Sequence, residues 1–142
     1  ILEVIDANEG SFVSYQDVLF QPSITLKAQE GAEIDATLDV QKVKTKINFG
    51  GIITLKGAAV VQNHKVATWG VLEAASLASE QVEVKIKAGG RAAVNATELA
   101  EVKVSLGGSV RVHGQPKKLI KSIAVGGSIE QITPTIENPN NE

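Results

Sequence analysis

The sequence predicts an all-β protein: a single-stranded right-handed parallel β-helix (solenoid) of about six coils of 18–20 residues. Three observations lead there. A hinge pair recurs at near-constant spacing, apolar residues alternate by two on both sides of it, and residues of like type fall into columns when the hinges are aligned.

The hinge is clearest in Val102 to Gly114, where two alternating runs meet at Gly107-Gly108. Its second residue recurs as Ala32, Gly51, Gly70, Gly90, Gly108 and Gly127, at intervals of 19, 19, 20, 18 and 19. Two residues after it stand Ile34, Ile53, Leu72, Ala92, Val110 and Ile129. Two further on come Ala36, Leu55, Ala74, Val94, Val112 and Gln131, so only the last breaks the apolar rule. Before the hinge the column is Ala28, Ile47, Val66, Ile86, Val104 and Ile123.

A period of two means extended strands with one face buried. A repeat of this length means that each unit is one coil, whose backbone groups and apolar face are satisfied only by the next coil laid ~4.8 Å away. Hexapeptide coils would need an aliphatic residue every six positions, and calcium-binding coils a GGxGxD element; neither pattern is present, which leaves the variable-length form. Gly suits the corner, where φ > 0 or close backbone approach is needed. Trp69 takes the first hinge position in one coil, and is expected outside the coil or capping its corner, because a bulky residue is strained at φ > 0.

Residues 1–132 read as the solenoid domain. Within it, 1–23 lack the Gly pair and read as an N-terminal cap or an irregular first coil, and 133–142 read as a polar C-terminal tail. Ala74 to Glu80 is the one helix-compatible patch, expected as a loop with one helical turn. A chain that begins at Ile1 with no Met reads as a processed product or a trimmed one, which leaves room for a signal peptide before it.

Composition excludes several functions. A net charge of -2 lacks the basic signature of a nucleic-acid binder, so no nucleic-acid partner is expected. With no Cys there are no disulfides, thiolate catalysis or Cys-ligated zinc, and no cofactor is expected. No apolar run approaches the ~20 residues of a membrane-spanning helix.

The elements INFGGIITLKGAA, VEVKIKAGGRAAVNATEL, EVKVSLGGSVRVHGQPK and SIAVGGSI, between Asp39 and Ile132, resemble the bacterial family described as putative auto-transporter adhesin, head GIN domain. The resemblance implies a β-helical fold, export, and an extracytoplasmic place in the cell envelope, the periplasm or the medium. It brings no catalytic or ligand residues. The chain departs from the pattern at Trp69.

The strongest surface feature is a second kind of column. Lys27, Lys46, Lys65, Lys85 and Lys103 each stand four residues before the first hinge position, followed by Ser122, and by parity they point outward. Stacked in register, each neighbouring pair costs roughly 0.9 kcal/mol in water before screening. The functional reading is a basic stripe for an anionic glycan or a lipid headgroup; the alternative is a solvated face whose Lys stems cover apolar surface and discourage aggregation. Glu83 and Glu101 lie close enough in sequence to offset part of the charge.

Other candidates are weaker. His64 and His113 fall in different columns and are expected at the surface or a strand edge, with no metal site. Asp35 and Glu73 share an outward column two coils apart with Thr54 between them, and Asp39 lies near; as a carboxylate pair they would suit inverting sugar hydrolysis. Asn95-Ala96-Thr97 matches a glycosylation sequon on an outward strand position. The sequence therefore points to a non-enzymatic exported module, adhesin-like or structural, with no catalytic residues. The alternatives are a carbohydrate-binding or pectinase-like β-helix, or lipid or lipopolysaccharide binding through the Lys column. Exposed solenoid ends and flat strand faces also make a homo-oligomer an expected partner.

Overall fold

The computed structural model describes residues 3–133, in which twelve strands stack in parallel as a β-solenoid of about seven turns with no helix. The leading strands of each coil are β1 (Val4–Ala7), β3 (Leu19–Ala28), β4 (Glu33–Ile47), β5 (Ile52–Val66), β7 (Gln81–Lys87), β9 (Leu99–Ser105) and β11 (Lys118–Ala124). Beyond the corner run β2 (Phe12–Ser14), the first halves of β4 and β5, then β6 (Val71–Ala78), β8 (Arg91–Asn95), β10 (Ser109–His113) and β12 (Ser128–Gln131). Each strand pairs with its counterpart one coil on, as in Ile34↔Ile53↔Leu72↔Ala92↔Val110↔Ile129.

The apolar columns build the core. Ile47, Val66, Ile86 and Val104 are buried from one side and Ile34, Ile53, Leu72 and Val110 from the other. The last coil has no neighbour above it among the described residues, and there Ile123 of the same column is half exposed.

Two findings revise the expected coils. The count rises from six to seven, because the first 23 residues contain a hinge without a Gly pair. Glu9 and Gly10 both have positive φ, and Ser11 donates its N–H to the Asn8 carbonyl, as at the next four corners. The patch from Ala74 onward is strand rather than helical turn. Lys56 pairs with Ser76 while Thr54 pairs with Glu73, so β6 holds one extra residue as a bulge, and this accounts for the 20-residue interval. The proposed tail falls, after Thr133, outside the described residues.

The corner explains the Gly pair with two separate constraints. In the turn Asn48–Gly51 both central residues are left-handed, Phe49 at φ 49° and Gly50 at φ 76°, and the Gly51 N–H donates to the Asn48 carbonyl at 3.0 Å. Gly51 itself is not left-handed, but a Cβ there would overlap the Ala28 carbonyl oxygen of the coil below. A Cβ on Gly50 would meet nothing within 4 Å. Gly50→Ala should therefore cost about 1 kcal/mol of backbone strain, and Gly51→Ala about 2–3 kcal/mol through forced separation of coils. Thermal melts of the two variants test this; equal losses would mean that conformation alone selects the pair.

Candidate functional site

The register turns the Lys pattern into a physical ladder. Lys27, Lys46, Lys65, Lys85 and Lys103 are direct partners on successive strands, with Asp6 before them and Ser122 after. Their inward neighbours on both sides are buried, which directs the Lys stems to the outer face. Between this column and the outward column two residues further along (Asn48, Ala67, Lys87, Ser105 and Ala124) runs a groove of about 510 Å³. Ile47, Val66, Ile86 and Val104 lie at its base.

Four of the five ladder residues, Lys46, Lys65, Lys85 and Lys103, line the groove, and Lys87, which the column pattern alone did not single out, joins them from the other side. None of the residues lining it is acidic. Lys27, the next rung, does not line the groove but a smaller cavity of about 160 Å³, together with Asp6, Gln29, Lys46 and Asn48. Glu83 does offset the ladder in one place: its carboxylate lies 3.5 Å from the Lys85 ammonium, both partly exposed, so the pair is screened by solvent. Asn48 lines both cavities, and its Oδ1 is buried without a hydrogen-bond partner.

The remaining candidates fall elsewhere. Asp35, Thr54 and Glu73 are in register, so the two carboxylates are held two coils apart on an open face; Asp39 instead pairs with Ala58. No cluster of His, Asp or Glu suited to a metal ion occurs among the described residues. Asn95 is partly buried and donates its side-chain N–H to the Ala75 carbonyl at the β6 bulge (3.1 Å), which ties down the nitrogen that a glycan would need.

His64 overturns its expected place. It is fully buried, inside the coil opposite Thr45, because its parity with respect to Lys65 is inward. Its Nε2–H donates to Gln62 Oε1 at 2.6 Å and its Nδ1 accepts from the Thr45 hydroxyl at 2.7 Å; Gln62 Nε2–H in turn donates to the Leu77 carbonyl at 3.0 Å. The directed chain from Thr45 to Leu77 satisfies a neutral imidazole completely. Burial pushes its pKa down to about 3. His113, on β10, is half-buried.

Corner residues add a feature that the columns alone did not reveal. Phe49, Trp69, Leu106 and Val125 are all exposed at the turns. Trp69 lies outside the coil as its bulk requires, yet it adopts φ 64°, a strain of about 1–2 kcal/mol that Gly avoids at the other turns.

Comparison with known proteins places this geometry. The family description putative auto-transporter adhesin, head GIN domain, matches residues 1–116, and the chain belongs to that family. The match takes in the N-terminal coil and stops before the last one. Crystal structures of putative adhesins share the fold. That from Parabacteroides distasonis has 26% identity and a TM-score of 0.81 over 92% of this chain and 56% of its own. That from Bacteroides fragilis has 25% identity and a TM-score of 0.80 over 85% and 56%. A third, from Parabacteroides merdae, has 22% identity and a TM-score of 0.79 over 89% and 53%, and is a likeness of fold alone. The chain thus spans a little over half the length of the solved structures it matches. No curated protein matches it.

His64 generates a pH prediction. Unfolded, it titrates near 6.5, and folded at about 3, so between these values the unfolded state binds the extra proton. Stability from this site is complete above pH 6.5 and falls as pH drops, with a slope approaching ~1.4 kcal/mol per pH unit. Urea denaturation from pH 7 to 4 measures it, and His64→Val should flatten the slope by about one proton. An unchanged slope would show that His64 is not held neutral.

Proposed function

We propose that this chain is a non-enzymatic, adhesin-like module of the bacterial cell envelope that holds arrays of anionic groups along its Lys ladder. The carrying observation is the groove: in-register ammonium groups on one wall, Lys87 on the other, and no acidic side chain lining it. Membership of a family named for auto-transporter adhesins supports a surface location and a binding role rather than a catalytic one.

The recognised chemistry is a row of phosphate, sulfate or carboxylate groups, supplied by an acidic glycan or by lipid headgroups. Four lysines from Lys46 to Lys103 span ~15 Å at the strand spacing, so several such groups engage at once. Mutual repulsion along the ladder, relieved by a counter-charge, favours occupation.

Replacing Lys46, Lys65 and Lys85 by Ser should weaken binding of heparin and of lipopolysaccharide by roughly 1 kcal/mol per lysine at moderate salt. The fold should survive, since Ser122 already occupies this column. Isothermal titration at two salt concentrations checks it: wild-type affinity should fall with salt and the variant's much less. Binding unchanged by the substitutions would remove the ladder as the contact surface.

A further inference from the structure

We propose that the protein docks edge-on to an anionic lipid surface, with the tips of its third to seventh turns in the interface and the Lys ladder against the headgroups. This rests on the ladder reading above and selects one of its two partners.

The seven turns differ in a graded way. Their first left-handed residue is Glu9, then Glu30, in the first two turns; from the third it is Phe49, Thr68, Ala88, Leu106 and Val125. Trp69 adds an indole beside Thr68. Phe49, Trp69, Leu106 and Val125 are 58%, 73%, 59% and 78% exposed. Scattered exposed apolar residues need no explanation, but four along one edge, on four of five successive turns with Ala88 between Trp69 and Leu106, form a ridge ~19 Å long.

Charge and apolarity coincide on the same turns. Each groove lysine stands three residues before the tip of its own turn, ~10 Å along the strand, within reach of headgroups on a flexible stem. The coil with the first acidic tip carries Asp6 in the ladder column, and the second acidic tip follows Lys27, which lies off the groove. A basic stripe running beside an aromatic and aliphatic ridge is the pattern of an interfacial anchor on anionic lipid.

Trp69 is set for that role. Its ring rests against Gly89 of the next turn, where a Cβ would come within 2.8 Å of the ring carbons, and most of the indole stays open to solvent. Exposed Arg91 shares this depression. Indole rings favour the boundary between headgroups and acyl chains. A soluble acidic glycan would use the ladder and leave the ridge in water. A second copy would cover the ridge without using the ladder, and the oligomeric state separates that occupant from lipid.

Trp69 is the only Trp in the chain, so its emission reports the contact directly. The wild-type protein should co-sediment with phosphatidylglycerol/phosphatidylcholine vesicles and not with phosphatidylcholine alone. Its emission should shift to the blue and be quenched by brominated acyl chains. The double variant Phe49→Ser/Leu106→Ser should bind the vesicles about tenfold more weakly or worse, with heparin affinity and melting temperature unchanged. Trp69→Gly, which installs the residue of the other turns, should bind vesicles more weakly while melting no lower than wild type. Four results overturn the proposal. Vesicle binding with unshifted emission and unaffected variants would assign the contact to the ladder alone. Heparin binding without vesicle binding would leave the ladder reading and remove the membrane. A dimer that the double variant dissolves, without vesicle binding, would assign the ridge to a second copy. Failure of both heparin and vesicles would remove the ladder reading as well.

Discussion

Parallel, in-register pairing of each coil with the next is the constraint from which the rest of the molecule follows. It hydrogen-bonds every coil to its neighbours, and it also copies position: whatever stands at one point of a coil stands directly above its counterpart one coil down, as Lys46 stands over Lys27 and Ile47 over Ala28. A residue type repeated at the coil period becomes a stripe. Apolar repeats become the core, glycines become a corner, and lysines become a charged ladder.

Stacking also sets what the corners tolerate. Every turn has left-handed backbone at two successive residues, and in the third turn the next residue must be bare backbone as well, where Gly51 meets the Ala28 carbonyl; Ser11 and Ala32 hold that place in the first two turns. The left-handed residue just before Gly is free in side-chain type because it projects into solvent. That freedom is where Glu9 and Glu30 give way to Phe49, Leu106 and Val125, so the corner's chemistry varies while its geometry is held. Trp69 goes further, accepting strain where Gly stands in the other turns.

Much of this was legible in the sequence because the period is explicit. The Gly pairs located the later corners, the alternation located the core columns, and the Lys column emerged as the register has it. What was missed lies where the period slips or parity carries a polar residue inward. The first corner has Gly10-Ser11 instead of a Gly pair and an interval longer than the others, so it did not align. The run from Ala74 reads as helix-compatible because a bulge breaks the alternation by one residue. His64 and Gln62 were open to the same parity argument that directs Lys65 outward, but a histidine read by type alone looks like a surface residue. Only the partners Thr45 and Leu77 show how the polar pair is satisfied inside. The groove itself was not legible, since its width depends on side-chain size in two adjacent columns.

The claim on which everything rests is the register of the Lys column, and a chain with no Cys allows it to be measured directly. Lys65→Cys with Lys85→Cys places two thiols on partner positions ~4.8 Å apart at Cα, within disulfide range. Lys65→Cys with Glu83→Cys displaces one of them by two residues. Mild oxidation of the folded protein, read by mass spectrometry of the digested chain, should close the first pair readily and the second poorly. Preferential closure of the second pair would mean that the coils are out of the register described, and with it the ladder would be lost.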